Sequence, residues 1–375
     1  MTPDEREALA LLERLVNLDT PSGERAGILA AGELLAGELR ALGMEMETIV
    51  DPSGGLHFKA AIGKGPEVIL LAHLDTVFPK GTAAERPFRL EGERAYGPGV
   101  SDCKSGVVTV LGALRRLEAG GWPALRLVCF FNSDEELGSP GSRLYFAEMA
   151  EGAAAALVVE PARGEELITV SRQGIGRFTL RVFGKAAHSG SDYAEGRSAV
   201  LELAHKIIAV HGLTDLGAGV TLNVGVISGG IRPNVVPDLA TAEIDLRVAD
   251  ESQIGPAVAA LERIAMESSV PGTSASLSGG ITRPPLPPKE ANLKLYRRIE
   301  EVGRRLGMDL KPFHSGGGSD ANLLAASGVP VLDGLGPAGG GHHSEAEYMS
   351  IPSLHRRIEL LAEFLRALAW AAQSR

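Results

Sequence analysis

One stretch decides the fold: Val68-Ile69-Leu70-Leu71-Ala72-His73-Leu74-Asp75, an uninterrupted apolar run that ends in polar residues. The run is too short for a helix and too apolar for a strand with one face in water. It therefore predicts a strand that is buried on both faces of a parallel sheet. Because alternate residues of a strand point to the same side, we expect His73 and Asp75 to act together where this strand ends.

Two later runs repeat the pattern and extend the sheet. They are Leu127-Val128-Cys129-Phe130-Phe131 and Ala156-Leu157-Val158-Val159, and a helical pattern lies ahead of them near residues 107–117. The chain also opens with a predicted capped helix, with Thr2 as the N-cap, and closes with an amphipathic one. Together these patterns predict an α/β fold in which helices cover both faces of the sheet.

The pattern changes in the middle of the chain. Residues 178–183 and 240–248 alternate apolar and polar side chains, which is typical of strands with one wet face, and helical patterns lie at residues 200–208 and 261–265. We expect a smaller α+β domain inserted into the larger one. The predicted boundaries are 1–173 for the first part of the larger domain, 174–285 for the insertion and 286–375 for the second part.

The composition excludes several classes of protein. Of 375 residues, 44% are hydrophobic and 22% are charged, which indicates a globular chain that is neither disordered nor collagen-like. The net charge of -10 would repel a phosphate backbone, so no nucleic acid partner is expected. No apolar stretch approaches the length of about 18 residues that a membrane span needs. Two cysteines and an acidic start favour a cytoplasmic location.

Acidic residues follow the second and third of the predicted buried strands. Asp134-Glu135-Glu136 comes shortly after the second run, and the mutual repulsion of these three acids needs a cation or solvent to offset it. Glu160 directly follows the third run. Each acid alone could be an ordinary surface residue, but their repetition at the carboxyl ends of buried strands favours a metal site.

A glycine-rich turn, Gly97-Pro98-Gly99-Val100-Ser101-Asp102-Cys103-Lys104-Ser105-Gly106, adds another acid. A phosphate-binding loop is excluded because its lysine must follow a glycine, whereas here Cys103 precedes Lys104. Nucleotide binding is therefore rejected for this turn, which contains Asp102.

Two adjacent histidines, His342 and His343, follow three glycines near the C-terminus. Either one alone is more typical of a structural residue than of a ligand. With His73 and one of these two histidines, the candidate set offers two imidazoles and at least three carboxylates. That set suits two borderline divalent ions, such as Zn²⁺, which share a bridging aspartate.

These residues resemble the co-catalytic zinc aminoacyl-hydrolase family, which includes glutamate carboxypeptidase, acetylornithine deacetylase, succinyl-diaminopimelate desuccinylase and aminoacylase. The resemblance covers essentially the whole chain, and the chain is most similar to the glutamate carboxypeptidase branch of the carboxypeptidase G type. The ordered set is far more specific than any single motif. Its members are His73-x-Asp75, Gly99-x-x-Asp102-x-Lys104-x-Gly106, Asp134-Glu135-Glu136, Glu160-Pro161, Gly184-Lys185-Ala186-Ala187-His188 and His343-Ser344.

The resemblance implies a role for each residue of the larger, catalytic domain. It implies two Zn²⁺ per subunit, with Co²⁺ or Mn²⁺ as alternatives. One ion would be held by His73, Asp102 and Glu160, and the other by Asp102, Glu136 and His343, so that Asp102 bridges them. His343 is preferred to His342 because Ser344 and Glu347 follow it as in the family. Asp75 would bind His73 and fix its tautomer, and Glu135 would be the general base. A cis peptide bond between Asp102 and Cys103 is also implied.

The resemblance also implies that the inserted domain serves as a lid and a dimerisation domain. His188 would reach across a homodimer interface to stabilise the oxyanion. Asn234 and Arg247 would line the substrate cleft, Arg283 would bind the free α-carboxylate of the substrate, and Gly318 would present backbone to the same end.

The expected activity is hydrolysis of an amide bond in N-acyl amino acids or short peptides, by a metallo-carboxypeptidase. Strict glutamate specificity is not expected, because Glu165 and Glu166 would repel a glutamate side chain where the glutamate-specific branch has a lysine, although Arg163 could substitute for that lysine. Two alternatives stay open: an N-acyl-amino-acid deacylase, and a non-catalytic metal-dependent binding protein. Retention of Glu135 favours an enzyme, because a binding protein needs ligands but no base.

Overall fold

The computed structural model describes residues 2–373. The helices in this part of the chain are α1 (Pro3–Val16), α2 (Arg25–Ala41), α3 (Thr82–Glu85), α4 (Ser105–Gly120), α5 (Arg143–Ala150), α6 (Ala199–His211), α7 (Ile254–Met266), α8 (Glu290–Arg305), α9 (Asp320–Ala326) and α10 (Ile351–Gln373). None of them combines the length and the apolar character that a bilayer-crossing helix needs.

The strands of the same residues are β1 (Met46–Val50), β2 (Leu56–Gly63), β3 (Glu67–His73), β4 (Arg89–Glu91), β5 (Arg94–Tyr96), β6 (Arg126–Asn132), β7 (Ala155–Val158), β8 (Leu167–Arg172), β9 (Gly174–Phe183), β10 (Ala187–His188), β11 (Thr221–Gly229), β12 (Val235–Val236), β13 (Leu239–Val248), β14 (Ser274–Arg283), β15 (Lys311–Ser315), β16 (Val331–Leu332), β17 (Gly339–Gly340) and β18 (Tyr348–Ser350).

The predicted start of α1 is present in detail. The Thr2 hydroxyl accepts a hydrogen bond from the backbone N–H of Glu5, and the Glu5 carboxylate accepts one from the N–H of Thr2. This reciprocal pair satisfies two N–H groups that a helix leaves without partners.

The chain divides into two compact units. The large unit comprises Met1–Ser171, Pro288–His314 and Ser319–Arg375, and the small unit comprises Arg172–Pro287 and Ser315–Gly318. The segment Ser315–Gly318 lies within the stretch 286–375 that the sequence analysis assigned to the larger domain, but it packs with the small unit.

The main sheet of the large unit has the strand order β1-β2-β6-β3-β7-β16. β3 runs parallel to β6 on one side and to β7 on the other, and β7 runs parallel to β16. His73 pairs with Asn132 and Leu71 pairs with Val158, so the carboxyl ends of three strands meet at one edge. The polar residues that follow these strands are therefore brought together, as the sequence pattern predicts.

Helices cover this sheet on both faces, as expected. Leu70 and Leu127 belong to one apolar core with residues of α1, α2, α4 and α10, among them Leu12, Leu35 and Leu361. Ile69, which points to the opposite side of β3, is also buried. α9 packs against β7 and β16, and α5 packs against α9.

The small unit contains an antiparallel sheet with the order β11-β13-β9-β14, as the alternating patterns predict. Phe178, Leu180 and Ile244 lie in its core with apolar residues of α6 and α7. β11 is an edge strand of this sheet and exposes Val226 and Ile227. The small unit is thus an α+β insertion, and the α/β fold with such an insertion is confirmed.

Candidate metal centre and active site

The edge where the strands end gathers the first ligand set. His73 ends β3, and its Nε2 lies 3.0 Å from Oδ1 of Asp102 and 3.7 Å from Oε1 of Glu160. Glu160 follows β7 closely, and Asp102 lies in the turn that precedes α4. All three side chains are largely buried.

A second set forms on the other oxygen of Asp102. His343 Nε2 lies 3.4 Å from Asp102 Oδ2 and 3.3 Å from Glu136 Oε2. The two oxygens of one carboxylate therefore face two different groups of ligands. The other four predicted metal ligands thus lie in two groups, one on each side of the Asp102 carboxylate.

The geometry suits zinc ions. Zinc bonds of about 2.0–2.1 Å to nitrogen or oxygen place neighbouring ligand atoms of a tetrahedron about 3.3 Å apart. The four separations above, from 3.0 to 3.7 Å, bracket this value. Imidazole nitrogens and carboxylate oxygens are also the donors that borderline divalent ions prefer.

The electrostatics of the site favour cations as well. Burial and the charge of Asp102 raise the pKa of Glu160 well above its ordinary value. Hydrogen bonds with Asp102 and Glu136 raise the pKa of His343 to about 10. Burial opposes ionisation of Asp102, but hydrogen bonds with His343 and His73 outweigh it and hold the pKa of Asp102 far below its usual range. Protons shared among these groups thus offset the repulsion between their carboxylates. A pair of divalent ions would neutralise the same negative charge.

The structure separates the two adjacent histidines. His343, in the left-handed backbone region at φ 62°, turns its ring toward Asp102. His342 instead contacts the hydroxyl of Ser101 through Nε2 at 3.1 Å and the guanidinium of Arg163 through Nδ1 at 3.1 Å. Of the two histidines, His343 is therefore the one that contacts both Asp102 and Glu136.

Glu347 supports the Asp102 turn, a role that the sequence analysis did not assign. Its buried carboxylate accepts hydrogen bonds from the backbone N–H groups of Gly99, Ser101 and Asp102 at 2.9–3.1 Å. The peptide bond between Asp102 and Cys103 is cis, as the resemblance implies. The sequence signal for Glu347 was its spacing after His343. That spacing was used only to choose His343 over His342 as the predicted ligand.

Asp75 does more than the sequence analysis expected. Nδ1 of His73 lies 2.9 Å from the backbone oxygen of Asp75 and 3.3 Å from its Oδ1. The same carboxylate accepts hydrogen bonds from the backbone N–H groups of Glu135 and Glu136, both at 3.1 Å, and from the Ser22 hydroxyl. Asp75 therefore connects a predicted ligand with the turn that carries the predicted base.

The small unit brings His188 and Asn234 together. His188 pairs with Val235 across the β10–β12 ribbon, and the backbone oxygen of Asn234 accepts a hydrogen bond from Ser189. His188 is exposed, and its Nδ1 accepts hydrogen bonds from the N–H groups of Gly190 and Ser191. The neutral ring therefore carries its proton on Nε2, where it can donate to an oxyanion.

The other residues predicted to bind substrate lie around the segment Ser315–Gly318. Arg283 is buried, and a Cβ added to Gly318 would lie 2.9 Å from its side chain. Arg247 donates to both oxygens of Asp245 and to the backbone oxygen of Gly316. Buried Arg172, which the sequence analysis missed, donates to the hydroxyl of Ser315 and the backbone oxygen of Gly317.

In the stretch that departs from the glutamate-specific pattern, Glu166 and Arg163 contact different parts of the large unit. Oε1 of Glu166 accepts a hydrogen bond from the N–H of Asp309, so one of the two acids is engaged elsewhere in the large unit. Arg163 contacts His342, the neighbour of a predicted ligand. Arg163 is therefore the charged residue of this stretch that lies next to the residues predicted to bind metal.

Comparisons with known proteins place the chain in a family. A family model described as peptidase family M20/M25/M40 matches residues 69–367. Carboxypeptidase G2 of Pseudomonas sp. (strain RS-16) is 33% identical over 379 aligned positions, which cover 98% of this chain and 90% of that protein. A putative succinyl-diaminopimelate desuccinylase of Mycobacterium tuberculosis is 26% identical over 93% of this chain and 95% of that protein.

Solved structures show the same fold. A tripeptidase from Staphylococcus aureus has a TM-score of 0.84 at 22% identity, covering 98% of this chain and 99% of that one. An M20 family metallo-carboxypeptidase from Sulfolobus solfataricus has a TM-score of 0.77 at 18% identity, covering 97% and 99%. With a family model that spans most of the chain and a carboxypeptidase relative aligned along nearly all of it, the chain belongs to peptidase family M20/M25/M40 and is a hydrolytic enzyme.

Proposed function

We propose that this enzyme is a dinuclear zinc carboxypeptidase that releases a C-terminal amino acid from N-acyl amino acids or short peptides. The observation that carries the proposal is the placement of Asp102, one oxygen of which faces His73 while the other faces His343. A shared carboxylate between two ligand sets is the arrangement that a two-metal hydrolase uses.

Glu135 is proposed as the general base. When bound, two divalent ions would acidify a water molecule and polarise the scissile carbonyl. Glu135 would accept the proton of that water and pass it to the leaving amine. The Asp75 carboxylate holds the backbone N–H groups of Glu135 and Glu136, so it would keep the base and a ligand in register.

His188 and the arginines of the small unit are proposed to bind the substrate. The Nε2 proton of His188 would stabilise the oxyanion from the partner subunit of a homodimer. Arg283, with Gly318, Asn234 and Arg247, would bind the free α-carboxylate and line the cleft. Sedimentation at working concentration tests the dimer, because a monomer that hydrolyses substrate at full rate would rule out a cross-subunit role for His188.

The released amino acid is proposed to be glutamate or a residue of similar charge. Two observations support this: the motifs resemble those of the glutamate carboxypeptidase branch, and Arg163 places a guanidinium beside His342. The competing function is N-acyl-amino-acid deacylation, which the alignment with a putative desuccinylase favours.

The test is a panel of N-acyl amino acids and dipeptides with varied acyl groups and varied C-terminal residues, offered to zinc-loaded enzyme. A rate that follows the C-terminal residue would support the carboxypeptidase, and a rate that follows the acyl group would support the deacylase. Glu135→Gln should lower kcat by about 10²-fold to 10⁴-fold with its metal retained. Glu148→Gln, which changes an exposed acid of α5 with no proposed role, is the matched control. Turnover that survives in Glu135→Gln would overturn the role of Glu135, and no turnover on any member of the panel would overturn the proposed substrate class.

A further inference from the structure

A second cluster of metal-ligating side chains shares no residue with the centre around Asp102. It consists of Asp51 in the turn between β1 and β2, His57 on β2 and Asp134 after β6. One ligand atom from each residue lies within 4.8 Å of those from the other two. The three residues are only 4%, 0% and 6% exposed, respectively.

The two carboxylates of this cluster are oriented by bonds to one oxygen each. Oδ1 of Asp51 accepts from the N–H and hydroxyl of Ser53, both at 2.6 Å, and from the N–H of Gly55 at 3.1 Å. Oδ2 of Asp134 accepts from the N–H groups of Gly141 and Ser142 at 2.7 and 3.0 Å. One oxygen of each carboxylate is thereby left for another partner.

One of those remaining oxygens already has a partner: Oδ2 of Asp51 lies at hydrogen-bond distance, 3.0 Å, from Nε2 of His57. This separation equals that between His73 and Asp102 in the proposed zinc centre, so an ion could take the place of the proton between the two atoms. The other oxygen points to a missing ligand. Oδ1 of Asp134 is buried and has no hydrogen-bond partner among the described residues. An unpaired buried carboxylate oxygen is costly, so it calls for a cation or a donor.

The surroundings hold the imidazole in place and leave access to the cluster. The His57 ring stacks on Phe130 at 6.0 Å between centroids and meets Tyr145 edge-on at 6.2 Å. A cavity of about 190 Å³ is lined by Asp51 and Asp134, and its lining also includes Glu24 and Arg25. The guanidinium of Arg25 donates to the backbone oxygen of Gly54. The cavity has room for water molecules that would complete a coordination shell.

We propose that Asp51, His57 and Asp134 bind one divalent cation of the borderline class, such as Zn²⁺ or Co²⁺, in addition to the ions at the catalytic centre. Two carboxylates and an imidazole are the donors that such ions take, and water from the cavity would fill the open positions. The ion would join the turn between β1 and β2 to the turn after β6, where Glu135 and Glu136 follow Asp134. It would therefore stabilise the position of the catalytic turn without touching the substrate.

The test compares metal content after loading with Zn²⁺ and removal of free ion by gel filtration. Wild type should retain one equivalent more than His57→Gln and one more than Asp51→Asn. His205→Gln, which changes an exposed histidine of α6, should match wild type. His343→Ala should lose ion from the catalytic centre and still show the one-equivalent difference when His57→Gln is added. Equal metal content in wild type and in both folded cluster variants would overturn the proposal and leave a hydrogen-bonded Asp51–His57 pair.

A second measurement covers the case in which the cluster variants do not fold. Anomalous diffraction from zinc-soaked wild-type crystals should show density between Asp51, His57 and Asp134, separate from that around Asp102. Density around Asp102 with none at the cluster would reject the additional site and keep the proposed function. Density at the cluster with none around Asp102 would reject the catalytic centre instead, so the two failures are distinguishable.

Discussion

At the scale of single residues, Asp75 acts on the predicted base through its backbone. Its two oxygens accept the N–H groups of Glu135 and Glu136 while Oδ1 also lies 3.3 Å from His73. An asparagine in its place would put a donor NH₂ where one of these two oxygens stands, so it could not accept both N–H groups in this arrangement. A carboxylate therefore supports this turn in a way that an amide of the same shape does not.

We predict that Asp75→Asn lowers kcat by about 10-fold to 100-fold, because residues that orient metal ligands have effects of this size. The measurement is kcat and KM on the substrate that wild type cleaves fastest, with metal content determined in parallel. Ser22→Ala, which removes a single hydrogen bond to the same carboxylate, is the matched control and should have the smaller effect. Equal kcat values for the two variants would contradict this role of Asp75.

Asp51 provides a pH-dependent prediction. Burial opposes its ionisation, but hydrogen bonds from Ser53 and Gly55 and the contact with His57 lower the pKa of Asp51 from 3.8 to about 2. Because the folded pKa lies below the unfolded one, the stabilisation is complete above pH 3.8 and is lost as the pH falls toward 2. At about 1.4 kcal/mol per pKa unit, the pH-dependent part amounts to about 2 kcal/mol.

The comparison is urea unfolding of wild type and Asp51→Asn from pH 7 downward, with a chelator present so that bound metal does not contribute. The difference in unfolding free energy should be constant near neutrality and should narrow below about pH 4. A difference that stays constant to the lowest pH at which both proteins fold would show that the Asp51 carboxyl has an ordinary pKa.

The sequence predicted those functional residues whose positions are marked by a local sequence pattern. His73 and Glu160 follow short apolar runs, and such runs already imply parallel strands with their ends at one edge. The roles of Glu347 and His57 were not identified, because the contacts that reveal them involve Ser101 and Asp134, which lie far away in the sequence. The Glu347 carboxylate reaches Ser101 across 246 positions of sequence, a contact that no local spacing encodes.

At the scale of elements, α10 anchors two loops of the large unit through Arg357. This side chain is fully buried, and its guanidinium donates to the backbone oxygens of Gly164, Glu165, Leu167 and Gly334. Burial lowers the pKa of Arg357 to about 10, so it stays cationic at neutral pH. These bonds connect the stretch before β8 with the loop after β16.

We predict that Arg357→Met destabilises the protein by about 2–4 kcal/mol, because buried carbonyl groups are left without donors. The measurement is the free energy of unfolding in urea. Arg356→Met, at the half-buried neighbouring position of α10, is the control and should cost much less. Equal free energies of unfolding for the two variants would contradict this prediction. They would show that the hydrogen bonds of Arg357 contribute no more to stability than hydrogen bonds to water.

β2 was not predicted from the sequence, because it lacks both of the patterns by which strands are recognised. β2 lies next to β6 in the main sheet but runs antiparallel to it, and its sequence Leu56-His57-Phe58-Lys59 mixes apolar and charged residues. It therefore lacks both the continuous apolar run of a buried parallel strand and a clean alternation. The inward-facing His57 is what broke the pattern, and it belongs to the proposed additional metal site.

At the scale of the whole molecule, the fold class was predictable because the two kinds of strand leave different patterns. Continuous apolar runs predicted the parallel part of the main sheet, and alternation of apolar and polar residues predicted the antiparallel sheet of the small unit. Chain order could not show that Ser315–Gly318 packs with the small unit. That segment is four residues long and has no periodicity, so its association depends on side chains such as Arg172, which donates to Ser315.

Asp102 is proposed to bridge two zinc ions in a hydrolytic centre, and Asp102→Asn tests this proposal most directly. Asparagine preserves the shape of the side chain but removes the charge and one of the two acceptor oxygens. We predict that the folded variant loses zinc from both positions and loses hydrolysis together with it. Bound zinc, counted relative to wild type, and kcat are measured on the same preparation. A variant that kept the full zinc content or hydrolysed substrate at the wild-type rate would contradict the bridging role and the mechanism built on it.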